Sequence, residues 1–255
     1  MLRVDAVSFS YAGAPKGIHD VSFEADSGKL IALTGQNGSG KSTLLKVLAR
    51  VISPQSGEVH FEGRPLREWG AKEYARTVGY LPQEPDATFS MRAADIVVSG
   101  RAPFLTRFAW EGESDWAAAG EALAMCDADH LAERYLDEMS GGERKRVFLA
   151  RVLAARPKLI LLDEPLAALD VAHVQQFSRL LRQIVDRTGA TVIFASHDLN
   201  WAAAYSDRIL VMRDGVLAAD VLPSALMRPE VIRELFGFDG AAVTSGGHTW
   251  IVPAI

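Results

Sequence analysis

Hydrophobic residues occur in short β-type runs toward both ends of the 255-residue chain, and such runs are missing from its middle. Three of the runs, which begin at Leu30, Leu159 and Thr191, are nearly all apolar, as is typical of strands that are covered on both faces. A helical pattern follows each of the three, so the sequence predicts a mostly parallel α/β sheet. The predicted strands are residues 2–9, 30–34, 59–62, 78–81, 159–162, 191–195 and 208–212.

The patterns near the two ends of the chain predict antiparallel structure. The N-terminal runs alternate between apolar and polar residues, which indicates an antiparallel sheet at one side of the core. Asp214-Gly215 separates two strand-like runs, 208–213 and 216–220, and such a pair is a strong hairpin signal. The last part of the chain predicts a short helix over 229–236 and a small hairpin around Gly246-Gly247.

The middle of the chain predicts helices instead of strands. Alanine-rich helical patterns cover 115–126 and 129–135, and a further helical run ends at Arg156. We therefore expect a helical subdomain inserted into the α/β core. The predicted division is 1–92 for the N-terminal part of the core with the antiparallel strands, 93–156 for the helical subdomain, and 157–255 for the rest of the core and the tail.

Composition and charge narrow the classes of function. The formal net charge is −5, so the composition predicts no nucleic-acid partner. The single cysteine, Cys126, permits no intramolecular disulfide and no cysteine metal cluster, which fits a reducing cytoplasm. The sequence shows neither a signal peptide nor an apolar run near the roughly 20 residues that a membrane helix needs. Work at a membrane would therefore depend on the helices of another protein.

A glycine-rich loop follows the strand predicted over 30–34. Residues 35–42 read GQNGSGKS, which matches the pattern G-x-x-x-x-G-K-S/T, and a helix to about Arg50 is predicted after it. In such a loop the backbone N–H groups surround the phosphates of a nucleotide, Lys41 supplies charge to the β- and γ-phosphates, and Ser42 offers a hydroxyl to Mg²⁺. The predicted nucleotide-binding residues of this loop are Gly35, Asn37, Gly38, Gly40, Lys41, Ser42 and Thr43.

Two carboxylates follow the apolar run 159–162. Asp163 can hold Mg²⁺ through the water shell of the ion. Glu164, one residue further on, points differently and can activate a water for attack on the γ-phosphate. A glutamate at this position favours a hydrolase over a passive nucleotide binder.

A second helix start without bulky side chains lies about a hundred residues after the first loop. Residues 139–146 read MSGGERKR, and the serine and glycines leave backbone N–H groups exposed at the positive end of a helix dipole, which suits an anion. This second segment could cover the γ-phosphate within one chain, or across a two-fold dimer in which each chain closes the loop of its partner. The alternative interpretation is a plain serine N-cap at Ser140.

In their order along the chain, these motifs resemble the ATP-binding subunit of an ABC transporter, from about Leu2 to Phe236. The Walker A motif corresponds to residues 35–42, the Walker B motif to 159–163 and the signature motif to 139–143. The resemblance implies a P-loop NTPase cassette with a RecA-like core, an antiparallel β-subdomain and an inserted helical subdomain. It also implies ATP and Mg²⁺ as cofactors, with ATP held between Walker A of one subunit and the signature motif of the other.

The resemblance assigns roles to further residues. The aromatic ring of Tyr11 corresponds to the ring that stacks on adenine in the family. The D-loop corresponds to residues 168–170, and its Asp170 corresponds to the residue that bridges to the Walker A loop of the partner. The implied catalytic residues are Glu164, His197 of the H-loop, Gln83 of the Q-loop and Lys41. The implied metal-binding residues are Ser42, Gln83 and Asp163, and the implied partner-facing residues are Ser140, Gly141, Gly142 and Asp170.

Three positions depart from the usual motifs. Met139 and Glu143 stand where the signature motif usually has leucine and glutamine, and Ala167 stands where the D-loop often has serine. Methionine is close to leucine in size, and the backbone donors and Ser140 are retained. We therefore expect an intact, hydrolysing site.

The chain resembles the separate subunit of a bacterial importer more than other ABC proteins. The resemblance to ATPases of iron-chelate, haem and cobalamin importers lies in ADIVVSGRAPFLTRFAWEGESDW and SALMRPEVIRELFGFD. It implies a homodimer in the ATP-bound state, bound to permease subunits at the cytoplasmic face of the inner membrane and served indirectly by a periplasmic substrate-binding protein. The alternatives are the ATPase of another ABC importer or exporter, a soluble regulatory ABC ATPase and a non-hydrolysing nucleotide-gated binding module.

Four aromatic residues of the predicted helical subdomain have two interpretations. They could line a groove that receives the permease, or they could fill the core of the subdomain itself. The four are Phe104, Phe108, Trp110 and Trp116.

Overall fold

A computed structural model describes residues 1–13, 17–84, 90–106, 109–167, 169–245 and 247–253, which form two compact units. Unit 1 comprises Met1–Glu68 and Thr191–Ile255, and unit 2 comprises Trp69–Ala190. Phe108, Ala168 and Gly246, on which some of the predictions fall, lie outside the described residues.

Each predicted strand is present near its predicted position, and further strands accompany them. In chain order, those of the described residues are β1 (Leu2–Ser10), β2 (Gly17–Ala25), β3 (Leu30–Thr34), β4 (Ser56–Phe61), β5 (Arg64–Pro65), β6 (Val78–Leu81), β7 (Leu159–Leu162), β8 (Thr191–Ser196), β9 (Arg208–Arg213), β10 (Val216–Val221), β11 (Gly240–Ser245) and β12 (His248–Pro253). The predicted bounds of β3, β6 and β7 are confirmed.

The described α-helices are α1 (Lys41–Leu48), α2 (Ala71–Ala75), α3 (Ala93–Val98), α4 (Glu113–Met125), α5 (Gly141–Ala154), α6 (Val171–Thr188), α7 (Leu199–Tyr205), α8 (Pro223–Leu226) and α9 (Pro229–Phe236). Short 3₁₀ helices cover Leu66–Glu68, Ser99–Phe104, Asp129–Leu131 and Leu136–Glu138. Among the described residues, no helix is both long enough and apolar enough to cross a bilayer.

Unit 1 contains an antiparallel sheet and a mainly parallel one. The antiparallel sheet has the strand order β2-β1-β4-β5. In the other, β3 lies between β8 and β9 and runs parallel to both, so every residue of β3 is buried. The chain turns at Asp214-Gly215, where both residues have positive φ, and β10 returns antiparallel to β9 as predicted. The predicted C-terminal hairpin is also present, as the antiparallel pair β11 and β12.

Unit 2 consists of a parallel strand pair and a set of helices. β6 runs parallel to β7, and α3, α4 and α5 pack together through buried aliphatic side chains such as Val97, Ala122 and Leu149. Unit 2 extends beyond the predicted insertion 93–156 at both ends because it also includes α2, β6, β7 and α6. The predicted division into 1–92, 93–156 and 157–255 stays a prediction.

The sequence did not predict β2, because its alternation breaks at one point. His19 and Asp20 are both exposed, and Asp20 has a φ of 49°. The register with β1 shifts there, between the pairs Val7–Val21 and Phe9–Ile18. A β-bulge of this kind places two polar residues in succession and hides the period of two.

The helix predicted over 129–135 is wrong. Only Asp129–Leu131 forms a 3₁₀ turn, and Tyr135 forms an isolated bridge with Arg92. The carbonyl groups of Ala132 and Arg134 instead accept hydrogen bonds from the N–H groups of Ala94 and Ala93. These bonds satisfy the first donors of α3, so a tertiary contact replaces the local helix.

Candidate functional site

The glycine-rich loop of unit 1 is closed so tightly that two of its glycines have no room for a side chain. Gly35 has a φ of 144°, and a Cβ atom there would lie 2.1 Å from the carbonyl oxygen of Met212. Gly40 has a φ of 102°, and its Cβ would lie 2.8 Å from Cγ2 of Ile18. Both glycines are therefore required by conformation and by space.

The side chain of Lys41 folds back across this loop. Lys41 is 4% exposed, and its Nζ donates hydrogen bonds to the carbonyl oxygens of Gly35 at 2.8 Å and Gln36 at 3.1 Å. The first turn of α1 carries no acidic side chain, so the positive end of its dipole is not offset there. The buried hydroxyl of Ser39 has no hydrogen-bond partner among the described residues. A buried ammonium, a helix start and an unsatisfied hydroxyl in one loop fit the phosphates of a nucleotide.

The other predicted loop residues differ in exposure. Asn37 and Gly38 are exposed, Ser42 is half-buried and Thr43 is buried. The exposed residues Asn37 and Gly38 are therefore accessible to a ligand, while the buried side chain of Thr43 fixes the start of α1 in unit 1.

The predicted adenine-stacking residue lies just after β1. The ring of Tyr11 is 38% exposed and packs edge-to-face on Phe9, with ring centroids 4.9 Å apart. This contact supports the ring from one side and leaves part of it accessible. The role of Tyr11 with adenine stays a prediction.

His197 lies exposed between β8 and α7. The next residue, Asp198, is the N-cap of α7, and its Oδ1 accepts a hydrogen bond from the N–H of Trp201 at 3.1 Å. Asp198 thus fixes where the helix begins, directly after the predicted H-loop histidine.

The two predicted carboxylates of unit 2 have different surroundings. Asp163 is 3% exposed, and its N–H donates to the carbonyl of Leu81 at 2.9 Å, which extends the pairing of β6 and β7. Glu164 is half-buried and has a φ of 47°, a left-handed conformation that is rare outside glycine. The turn at Glu164 separates the environments of the two carboxylates, and strained residues of this kind occur often at active sites.

The structure brings Gln83 and Glu164 together from distant parts of the sequence. Nε2 of Gln83 donates a hydrogen bond to Oε2 of Glu164 at 3.3 Å. The predicted Q-loop glutamine therefore contacts the predicted general base within unit 2.

Ser140 of the second segment is the N-cap of α5, and it forms a capping box with Glu143. Oε2 of Glu143 accepts hydrogen bonds from both the N–H and the hydroxyl of Ser140, each at 2.7 Å. The N–H and then the hydroxyl of Ser140 lower the pKa of the Glu143 carboxyl. The N-cap interpretation of Ser140 is thus confirmed. The binding of an anion by this segment stays a prediction. Ser140 and Gly141 are exposed, so an anion can reach them.

Two residues near these motifs escaped the sequence analysis. Lys145 on α5 donates a hydrogen bond to the carbonyl of Ala167, and its burial lowers its pKa while the charge of Glu164 opposes that shift. His173 contacts Asp170 through both its N–H and its ring nitrogen Nδ1. For His173 the sequence offered one signal, a histidine three residues after a possible N-cap at Asp170. That spacing is too common in proteins to indicate a functional site.

The aromatic residues for which the sequence left two interpretations differ in exposure. Trp110 is 89% exposed and Trp116 is 42% exposed, so the core interpretation is wrong for Trp110. Phe104 is half-buried under the guanidinium of Arg101, whose Cζ lies 3.7 Å from the ring centroid. Arg101 also forms an ion pair with Asp115 at 2.9 Å and donates to the carbonyl of Ala154 at 3.0 Å.

Unit 2 also contains a cavity of about 580 Å³. It is lined by β6, by the 3₁₀ helix Ser99–Phe104 and by α5, with Tyr80, Pro82, Pro103, Phe148 and Arg151 among the lining residues. Pro82 directly precedes Gln83, so the cavity adjoins the predicted Q-loop.

Comparisons with known proteins give matches in sequence and in fold. Residues 18–167 match the family model described as ABC transporter. The hemin import ATP-binding protein HmuV of Rhodococcus jostii (strain RHA1) is 40% identical over 236 residues, which cover 92% of this chain and 80% of that protein.

Two solved structures have the same fold. A chain from a transporter assigned to the metal-chelate type of ABC transporter, in an inward-facing conformation, has a TM-score of 0.86 at 28% identity, with 100% of this chain and 97% of that chain covered. The ATP-binding cassette MJ0796, in a dimeric post-hydrolysis structure with ADP and Pi, has a TM-score of 0.75 at 27% identity, with 88% and 99% covered.

Proposed function

We propose that this chain, which belongs to the ABC transporter family, is the ATP-binding and ATP-hydrolysing subunit of a bacterial importer. The observation that carries the hydrolytic part is the contact between Gln83 and Glu164, which orients a carboxylate at the end of the Walker B strand. A passive nucleotide-binding module would need the loop around Lys41 but would have no use for an oriented general base.

The reaction is the attack of water on the γ-phosphorus of ATP. Glu164 takes a proton from the attacking water, the bond to the β–γ bridging oxygen breaks, and ADP and phosphate leave. Lys41 and the N–H groups at the start of α1 bind the phosphates, and His197 stabilises the charge that develops on the γ-phosphate.

Residues of this chain fit Mg²⁺ as the accompanying ion. Hard divalent cations bind oxygen ligands, and the hydroxyl of Ser42, the side-chain oxygen of Gln83 and the carboxylate of Asp163 would hold it. Bound Mg²⁺ would neutralise phosphate charge. Asp163 is buried directly after β7, at the carboxyl edge of the parallel pair β6 and β7, and α/β proteins bind ligands at such edges, which supports this assignment.

The working form is a homodimer in which two ATP molecules lie between the subunits. Ser140, Gly141 and Gly142 of one chain cover the nucleotide bound at Lys41 of the other, and Asp170 bridges to the Walker A loop of the partner. The dimeric structure of the similar cassette MJ0796 with ADP and Pi supports this proposal.

Permease subunits are the partners that transmit the motion to a membrane. The cavity beside Gln83 is the proposed contact for a permease segment, with Phe104 and the exposed Trp110 and Trp116 nearby in sequence. The chain would then lie at the cytoplasmic face of the inner membrane and power the import of cargo that a periplasmic binding protein delivers to the permease. Similarity to hemin and petrobactin import proteins and to a metal-chelate type transporter supports haem or an iron-siderophore as the cargo, and cobalamin stays the third prediction.

The Glu164→Gln variant tests the function. We expect it to bind ATP, to lose at least about a hundredfold of its turnover, and to form a stable dimer with Mg-ATP that the wild-type chain forms only transiently. Phosphate release and light scattering measure the two effects, with Glu68→Gln, an exposed site in a 3₁₀ helix of unit 1, as the matched control. Undiminished turnover in Glu164→Gln would contradict the assigned role.

A further inference from the structure

Gly141 and Gly142 of the signature motif have different surroundings. A Cβ atom on Gly141 would meet nothing within 4 Å, whereas one on Gly142 would lie 3.3 Å from Cδ2 and 3.8 Å from Nε2 of His173. Neither glycine has a positive φ. A side chain at position 142 would therefore press on the imidazole of His173, which packs directly against the start of α5 and would have to shift by a few tenths of an ångström.

The other edge of the same imidazole is held by Asp170. Oδ1 of Asp170 accepts the backbone N–H of His173 at 2.9 Å, and its Oδ2 lies 2.8 Å from Nδ1. These two bonds, the backbone one first, lower the pKa of Asp170. An ionised carboxylate can only accept, so Nδ1 carries the hydrogen and the ring is fixed with its Cδ2–Nε2 edge toward Gly142.

His173 thus joins two groups that have their proposed task on the same partner subunit. Gly142 belongs to the segment that covers the partner's nucleotide, and Asp170 is the residue that bridges to the partner's Walker A loop. Groups that are ordered relative to each other before association lose less conformational freedom on binding. The side chain of His173 is itself 48% exposed, so it contributes little to the core of unit 2.

We propose that His173 is a positioning residue that holds Asp170 and the start of α5 in one fixed arrangement, so that a chain presents both groups together to the nucleotide of its partner. The proposal rests on the proposed function, because the ATP-dependent dimer gives the two groups their common target.

The test compares the dimerisation of full-length chains that all carry Glu164→Gln. His173→Ala removes both contacts of the ring, with Oδ2 of Asp170 and with Gly142, while the backbone N–H still donates to Oδ1 of Asp170. His173→Asn keeps a side-chain donor for Asp170 without the ring, and His173→Phe keeps a ring against Gly142 without the donor. Gln175→Ala, on the exposed face of the same helix, is the control. The ATP concentration for half-maximal dimerisation is measured by light scattering, and the melting temperature of each variant is recorded without nucleotide.

We expect His173→Ala to raise the half-maximal ATP concentration roughly tenfold, with Asn and Phe intermediate because each keeps one contact. ATP binding by dilute monomers stays unchanged, since Lys41 and its loop are intact. A chain with Glu164→Gln alone that stays monomeric in Mg-ATP would overturn the proposed function and this inference together. A chain that dimerises equally well with and without His173→Ala would overturn the inference alone.

A purely structural effect has a different signature. It would lower the melting temperature of His173→Ala by more than about 4 °C and would affect the Asn and Phe variants to the same extent. That result would also overturn the inference, whereas unchanged melting with weakened dimerisation would support it.

Discussion

The amide nitrogen Nε2 of Gln83 lies 3.3 Å from the carboxylate oxygen Oε2 of Glu164. Gln83 follows β6 and Glu164 follows β7, and these two strands run parallel to each other. The carboxyl ends of parallel strands meet at one edge of a sheet, which is where α/β proteins place their ligands. The contact therefore links the predicted Q-loop to the predicted general base.

Gln83→Ala is expected to lower the turnover of ATP roughly tenfold, because the general base loses the group that orients it. The affinity for ATP measured without Mg²⁺ should change little, since the residues around Lys41 are untouched. Steady-state phosphate release gives kcat, and titration with a fluorescent ATP analogue gives the dissociation constant. A raised dissociation constant with unchanged kcat would assign Gln83 to nucleotide binding instead of orientation.

Tyr11→Ala is expected to weaken ATP binding by about two- to tenfold, which corresponds to the loss of one aromatic contact. Tyr11→Phe keeps the ring and should bind ATP like the wild type. Binding of inorganic triphosphate, which has no base, should be equal in all three proteins. Calorimetry on the isolated chains checks these affinities, and equal ATP binding by the alanine variant would remove Tyr11 from the adenine site.

Ser140→Ala is expected to lower the free energy of unfolding by about 1 kcal/mol, as the loss of an N-cap does. Glu143→Ala breaks the same capping box at the same helix and should cost a similar amount, while it leaves the Ser140 hydroxyl in place. Only Ser140→Ala should also abolish most of the ATP-dependent dimerisation. Urea unfolding and light scattering separate the two effects, and an equal loss of dimerisation in both variants would reduce Ser140 to a helix cap.

The ion pair between Arg101 and Asp115 predicts a pH dependence of stability. The hydrogen bond from Arg101, followed by that from the N–H of Gly112, lowers the pKa of Asp115 below its ordinary value. A carboxyl with a lowered folded-state pKa stabilises the fold above its unfolded pKa of about 3.9, and this contribution is lost as the pH falls through the folded value. Both side chains are nearly buried, at 14% and 11% exposure, so removing one partner leaves a poorly solvated charge.

Asp115→Asn is therefore expected to lower the free energy of unfolding by about 3 kcal/mol at pH 7. The difference from the wild type should shrink as the pH falls below about 4. Urea unfolding at pH 7, 5 and 3 measures it, with Glu113→Gln, an exposed carboxyl in the same helix turn, as the control. A difference that stays constant over this range would show that Asp115 is not ionised in the native state.

Local patterns were sufficient for a large part of the fold. The bounds of β3, β6, β7 and α9 agree with the sequence patterns. A short, mainly apolar run predicted each of the three strands, and a proline predicted the start of α9. Both signals lie within the element that they predict, so no distant residue was needed. The glycine-rich loop was equally readable, since Gly35 and Gly40 occupy positions whose positive φ few other residues adopt.

Other features depended on residues that lie far apart in the sequence. The bulge at Asp20, the carbonyls of Ala132 and Arg134 that satisfy the start of α3, and the exposure of Trp110 could not be read from periodicity. Each depends on which backbone group or surface the rest of the fold places beside it.

The sequence by itself determined which residues are the candidates for the chemistry, because the spacing of glycines, lysine, carboxylates and histidine within each motif is a local property. Only the tertiary structure decided which of them meet. Gln83 reaches Glu164, and His173 lies between Asp170 and Gly142. The physical reason is that such contacts depend on how separate strands and helices pack against each other. Neither the periodicity of the hydrophobic residues nor the spacing of residues within a motif contains information about that packing.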